Sequence, residues 1–196
     1  MNKYVFSCCL LGLSLVSFAR LGAQSFPEIK TLSCTFEQEK RVTVLDETGV
    51  SKGVMYYQQP DKLRWEYTSP TPMGFIMSGD RQYAIDATGI HPVEGRVNRL
   101  FKMISNLIFT GMGGNLLASD NQFDVTSQTY EDRIEARLTP KRKDMQKMVA
   151  YVDVVISTAD YLVTGLVMHE VSGDTTTIRF TKRELNKTLD GTLFRP

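Results

Sequence analysis

The sequence predicts a mainly β protein: one large, twisted antiparallel sheet with a helix inserted between its two halves. Three observations carry this. Short segments alternate apolar and polar residues, with turn residues between them, about eleven times. No helical periodicity alternates with these segments, which disfavours parallel βαβ units. One stretch alone, residues 96–109, repeats its apolar residues at helical spacing.

The first segment, Cys34–Val44, puts Phe36, Val42 and Val44 on one parity and Glu37, Glu39 and Arg41 on the other. Asp46–Gly49 reads as its turn and Val50–Gln58 as the return strand. Pro60 ends that strand, since it removes a ladder donor. Lys62–Thr68 then places Leu63, Trp65 and Tyr67 on one face and Arg64, Glu66 and Thr68 on the other. Gly74–Ser78, Gln82–Asp86 and Ile90–Val93 follow as short strands.

In residues 96–109 the apolar positions Val97, Leu100, Phe101, Ile104, Leu107 and Ile108 form one helical stripe. Gly111, Gly113 and Gly114 stop the helix and supply a flexible joint. Asn115–Ala118 is expected as a second short helix. The later strands are Phe123–Gln128, Arg133–Thr139, Met148–Ser157, Tyr161–Val171 and Thr175–Lys182. Two of them, over Val149–Ile156 and Leu162–Met168, are apolar on both parities, so either both faces are covered or one meets something other than protein. Ser25–Leu32 is expected to form one or two turns of helix, with Pro27 tolerated in the first turn. A sheet of this many strands curls, and its concave face is the natural place for the helical stripe.

The chain has 196 residues, 23 Lys and Arg against 22 Asp and Glu, and 42% apolar residues. That is ordinary globular composition; it excludes disorder and a polytopic membrane protein. The absence of a basic excess argues against a nucleic-acid partner. Residues 1–23 combine Lys3, a short apolar run from Val5 to Phe18 and small residues up to Ala23, which reads as a secretory signal peptide. One domain, 24–196, follows it, close to neutral once Lys3 and Arg20 are gone. Cys8 and Cys9 lie in the leader. Cys34 has no internal partner and is expected as a buried apolar thiol between Leu32 and Phe36.

No nucleophile elbow, zinc motif, CxxC pair, P-loop or dinucleotide fingerprint is present. His91, before Pro92, reads as an exposed or capping residue. His169 and Glu170 are neighbours on opposite strand faces and cannot converge on a metal. Neither a metal nor a cofactor is expected. Lys141, Arg142, Lys143 and Lys147 around Asp144 form a basic patch in an expected hairpin loop, either a solvated turn or a contact for an acidic partner or phospholipid headgroups. A hydrolase with a carboxylate pair and a peptide-binding adhesion module remain as other classes; nothing selects a particular pair of carboxylates.

Several motifs, in order along the chain, resemble the LolA group of periplasmic outer-membrane lipoprotein carriers. They are Phe36-Glu37-Gln38, Gly53 in the second strand, the run Gln59-Pro60 to Leu63-Arg64-Trp65-Glu66-Tyr67 with Pro70, and Ser78-Gly79-Asp80 before Tyr83. Leu138 to Lys141, the Gly173–Phe180 arm and a closing Phe194 complete the match. The resemblance implies an unclosed antiparallel β-barrel with an α-helical lid over an apolar cavity, and no enzymatic activity. It implies triacylated lipoproteins as cargo, received from an ATP-driven, ABC-type inner-membrane complex and passed to an outer-membrane receptor or membrane surface by a monomeric shuttle. Another lipid or glycolipid, carried or sensed by the same half-barrel, is the alternative. The implied lipid-binding wall is Phe36, Met55, Tyr57, Leu63, Trp65, Tyr67, Phe75 and Met77, with Leu100, Phe101, Ile104 and Ile108 on the lid. Gln59 stands where family members often carry an Arg thought to tie the lid to the sheet. It is the lid-latch candidate, with weaker, uncharged hydrogen bonds.

Overall fold

In the computed structural model, residues 28–93, 108, 117 and 122–195 are described. Eleven antiparallel strands form one sheet: β1 (Thr31–Val42), β2 (Glu47–Gln58), β3 (Lys62–Ser69), β4 (Met73–Ser78), β5 (Arg81–Asp86), β6 (Gly89–Pro92), β7 (Phe123–Thr129), β8 (Arg133–Pro140), β9 (Val149–Ser157), β10 (Val163–Glu170) and β11 (Thr175–Leu185). Their order is β6-β5-β4-β3-β2-β1-β11-β10-β9-β8-β7. Two meanders are therefore joined by the β1–β11 pair, and β6 and β7 are the edges of an unclosed sheet. These two edge strands are consecutive in the chain, and of the residues between them only 108 and 117 are among those described besides Val93 and Gln122.

Alternation along each strand divides the sheet into an inner and an outer face. Inner side chains from β1–β4, β10 and β11 form one apolar cluster, and those from β7–β10 form a second. Leu166 packs against both. The sheet curls around this face. Trp65 on β3 and Phe180 on β11 are separated by two strands, about 14 Å across a flat sheet, yet their ring centroids are 6.1 Å apart.

The outer face carries a third cluster of Ile76, Tyr83, Ile85 and Phe194, with Tyr56, Leu189 and Leu193 against it. A 3₁₀ turn, Gly191–Phe194, brings the C-terminal segment onto this face. Arg64 fastens it: Nη1 donates to the Leu193 carbonyl (3.1 Å), while Nε and Nη2 hold Glu66 (2.8 and 2.7 Å). The alternation of Leu63, Trp65 and Tyr67 against Arg64 and Glu66 thus serves two layers.

Four local expectations need correction. The described part of Ser25–Leu32 is not helical; Thr31 already pairs with Gln58, and Asn186 Oδ1 accepts from Lys30 N (2.8 Å), which fixes an extended entry. The first turn is Thr43–Asp46 rather than Asp46–Gly49, because Val42 pairs with Glu47 and Gly49 with Lys40. Val44 therefore sits at a turn apex and not on the strand. Tyr161 and Leu162 belong to the turn before β10. Residues 143–146 form a single helical turn, not an open hairpin loop, because Met145 is drawn into the second cluster. On the doubly apolar strands, Val152, Val154, Ile156 and Met168 are buried inward, whereas Val155 and Val167 are half-exposed on the outer face.

The leader, 1–23, lies outside the described residues. So do the lid positions Leu100, Phe101 and Ile104, and all but Leu117 of the second short helix.

Candidate functional site

The inner face is built from rungs of directly opposed residues. One runs Leu32–Tyr57–Leu63–Met77, the next Cys34–Met55–Trp65–Phe75, the third Phe36–Gly53–Tyr67–Met73. All eight wall residues named from the sequence lie on these rungs. Phe36, Met55, Tyr57, Leu63, Trp65 and Phe75 are buried, and Tyr67 and Met77 are half-buried against them. Phe36 lies 4.1 Å from Trp65 and 5.3 Å from Tyr67, centroid to centroid, the second pair edge-on.

Glycine at 53 makes this arrangement possible. It lies between Phe36 and Tyr67 on the third rung, and a Cβ there would overlap the Phe36 ring and the Glu66 carbonyl oxygen. The missing side chain is the space into which the Phe36 ring lies. Tyr67 closes the rung with a polar contact, its hydroxyl donating to Gln38 Oε1 (2.9 Å). Burial pushes the Tyr67 hydroxyl above its ordinary pKa, opposed by hydrogen bonds with Trp65 and Gln38. Burial raises Tyr57 too, helped by the negative charge of Asp61.

Of the lid stripe, Ile108 is described: it is helical, buried, and packed in the same cluster as Phe36 and Trp65. Leu117 packs against the second cluster. Both described residues of the 94–121 insertion therefore lie on the inner face. Gln59 is exposed, and its backbone N–H donates to the Lys30 carbonyl (2.8 Å). Its expected latch partners lie outside the described residues.

The second half of the wall was not named from the sequence. Ile29, Leu162 and Ile178 are buried in the same cluster, with Leu166, Phe180 and Leu185 packed on it. Alternation over Thr176, Ile178 and Phe180 was the available signal; the missing information was the β1–β11 register, which brings Phe180 opposite Phe36. Leu162 is held by Arg183, whose Nη1 donates to its carbonyl (3.4 Å) while Nη2 pairs with Asp160 (3.2 Å).

Cys34 is buried on the second rung, as its flanks suggested. Burial pushes its thiol up to about 12, and the Arg183 charge only partly offsets this. The group is therefore an inert apolar filler, not a nucleophile. The neutral thiol is favoured in the folded chain, so its stabilisation is complete below the reference value of 9.0 and is lost as the pH rises towards 12. Cys34 is accordingly expected to resist iodoacetamide in the native protein at mildly alkaline pH and to react fully in urea, read by peptide mass; native labelling at the unfolded rate would contradict its burial.

The remaining polar clusters are structural. His91 Nε2 meets Thr88 Oγ1 (2.7 Å) at the β5–β6 turn, where Thr88 hydrogen bonds hold the Asp86 carboxyl below its usual range. His169 stacks on Tyr151 (4.2 Å) on the outer face, while Glu170 pairs with Lys40 (3.3 Å). Among the described residues no three His, Cys, Asp or Glu side chains converge as a metal site. An open groove of about 470 Å³ runs along β7–β9, lined in part by Gln128, Glu135, Arg137 and Asp153. Arg137 and Asp153 are joined there by two hydrogen bonds (2.7 and 2.9 Å) and so engage each other. This groove is distinct from the inner wall.

Comparison with known proteins bears on this geometry. Residues 27–196 match the family model described as outer membrane lipoprotein carrier protein LolA. The chain is 24% identical over 197 residues to an outer-membrane lipoprotein carrier protein of Chromohalobacter salexigens, covering 94% of this chain and 87% of the relative. It is 27% identical over 171 residues to the protein of the same name from Methylococcus capsulatus, covering 85% and 76%. Among solved structures, the complex of Pseudomonas aeruginosa MucA/MucB shares the fold, with a TM-score of 0.50 and 10% identity over 85% of this chain and 55% of that one. With its unclosed eleven-stranded sheet and a match over nearly its whole length, the chain belongs to the LolA family of outer-membrane lipoprotein carrier proteins.

Proposed function

We propose that the protein is a periplasmic chaperone that takes the acyl chains of lipoproteins onto its inner face and carries them from the inner to the outer membrane. In this reading residues 1–23 are a removed leader, 24–196 form the carrier domain, and donor and acceptor are an ABC-type inner-membrane complex and an outer-membrane receptor or membrane surface. One observation carries the reading: three consecutive rungs of apolar side chains on the curled face of an unclosed sheet, with Ile108 of the edge-to-edge insertion seated among them.

The physical requirement is reversible burial. Each buried methylene is favourable by about 0.8 kcal/mol. Three long acyl chains fully buried would reach several tens of kcal/mol, beyond the practical ceiling of roughly 20 kcal/mol for non-covalent affinity. A shuttle that held cargo so firmly would not release it. The stripe Leu100, Phe101, Ile104 and Ile108 acts as an internal competitor: it covers the face when empty, cargo displaces it, and its return favours expulsion. Met55 and Met77 are unbranched and repack around chains of different length. Gln59 latches the closed lid without charge assistance, so the lid opens more readily than an Arg-latched one.

Mass spectrometry of the protein purified after co-expression with a lipoprotein tests this directly. A stoichiometric complex with acylated polypeptide is the expected outcome; a small lipid alone would favour a carrier or sensor of another lipid, and turnover of an ester or glycoside library would point to a hydrolase. Once displaced, the stripe packs on the bound chains from their other side, so replacing Ile104 with Asp is expected to reduce binding of a fluorescent fatty acid at least tenfold, roughly the cost of losing one buried aliphatic side chain, without unfolding the sheet. Unchanged binding would remove the stripe from the site.

A further inference from the structure

The large apolar side chains left most exposed among the described residues are Val44 (86%), Val171 (58%) and Leu45 (62%). Val50 and Met73 are also exposed. Strand directions put these five at one end of the sheet, with the less exposed Val93 (37%) at the other: β1, β3 and β10 run towards the five, and β2, β4 and β11 run away from them.

The two turns that bear the most exposed side chains are one unit. Thr43 N donates to Asp174 Oδ1 (2.9 Å) and Thr43 Oγ1 to the Gly173 carbonyl (2.7 Å), locking the β1–β2 turn against the β10–β11 turn. Val171 N donates to the Met148 carbonyl (3.0 Å), which ties both to the β8–β9 connection. The acids of this end are mostly engaged. Asp46 pairs with Arg41 (3.4 Å), Glu170 with Lys40 (3.3 Å), Asp124 with Lys141 (2.8 Å) and Asp144 with Arg142 (2.9 Å), while Asp174 accepts from Thr43 N, leaving Glu47. Lys143 and Lys147 are exposed and make no ion pair among the described residues.

We infer that the joined β1–β2 and β10–β11 turns form a membrane-docking tip, in which Val44, Leu45 and Val171 enter the headgroup–acyl boundary of a bilayer while Lys143 and Lys147 meet anionic headgroups. An apex of aliphatic side chains presents no groove to a peptide. It also lacks the exposed aromatic anchors that dominate protein interfaces. A deformable surface that closes around each side chain, with negative charge beside it, is the complementary occupant. With so few side chains entering, attachment is weak and reversible. The inference does not rest on what the inner face binds; it adds where the protein meets a membrane.

Flotation of the full chain with vesicles tests it. Wild-type protein is expected to float with phosphatidylethanolamine–phosphatidylglycerol vesicles and more weakly with phosphatidylcholine vesicles. The double variant Leu45→Asp, Val171→Asp is expected to lose at least about tenfold in partitioning to both. Lys143→Glu with Lys147→Glu should lose roughly fivefold per lysine on the anionic vesicles only. All variants should melt like wild type and bind a fluorescent fatty acid in solution unchanged, which separates this result from failure of the carrier reading. Equal flotation of wild type and the apolar double variant would overturn the inference. So would a wild type that binds neither vesicle, or one whose tip substitutions affect only capture by a membrane protein.

Discussion

Replacing Trp65 with alanine is expected to lower stability by about 3–5 kcal/mol, the range for truncating a fully buried large aromatic side chain. For a chain of this size that is a fall in Tm on the order of 10 °C. Trp65 sits at the centre of the inner wall, with Phe36 at 4.1 Å, Tyr67 at 6.3 Å and Phe180 at 6.1 Å. Its loss removes the ring contact by which β3 meets Phe180 of β11 across the curl of the sheet. Trp65→Phe keeps the aromatic body and is expected to recover most of the loss. The same substitution distinguishes a wall from a static core. In a carrier, the space vacated by the indole is open to cargo, so a saturating fatty acid raises the Tm of Trp65→Ala by mass action. Thermal melts of the alanine variant with and without palmitate check both parts. A Tm within a degree or two of wild type, or no response to the fatty acid, would contradict the assignment.

Gly53→Ala is expected to be the most damaging single added methyl. Its Cβ has no room: the Glu66 carbonyl of β3 lies against one side and the Phe36 ring against the other. The backbone atom cannot rotate away, and the ring is packed by Trp65 and Tyr67. Relief requires β2 and β3 to separate where Gly53 opposes Tyr67, or the Phe36 ring to leave its position. Overpacking of this kind costs about 1–3 kcal/mol and sometimes more; the backbone contact argues for the upper end. Gly49→Ala, two rungs away on the same strand with no heavy atom close to its Cβ position, is the control and should melt near wild type. Equal melting of the two variants would show that the glycine is not a packing requirement.

These two residues also show what can be read from the chain and what cannot. Alternation alone put Leu63, Trp65 and Tyr67 on the inner face and Arg64 and Glu66 on the outer, because strand period 2 is a local property. It likewise marked about eleven strands. Strand neighbours were beyond it: that β1 pairs with β11, and so sets Phe180 opposite Phe36, depends on long-range register. Half of the wall followed from that pairing and was missed for that reason. Turn positions slipped for a similar cause. Gly49 reads as a turn residue, but pairing of Val42 with Glu47, together with the Thr43 contacts to Gly173 and Asp174, moved the turn upstream. Alternation places Arg64 on the face opposite Trp65 but names no partner for it; its bond to the Leu193 carbonyl is visible only with the C-terminal segment on the outer face. The shared family motifs pointed to the wall, while the docking tip comes from exposure and from contacts between distant turns.

Acyl chains are proposed to occupy the inner face, where Trp65, the one tryptophan of the chain, is buried. Its fluorescence therefore reports on that face alone. The measurement is titration of the protein with a fatty acid, or a lipidated peptide, that carries bromine at successive positions along the chain. The expected result is saturable quenching of Trp65 that varies with the position of the bromine and is absent with the unbrominated ligand. Saturable binding that leaves Trp65 unquenched at every position would contradict it, because the chains would then lie somewhere other than the inner wall.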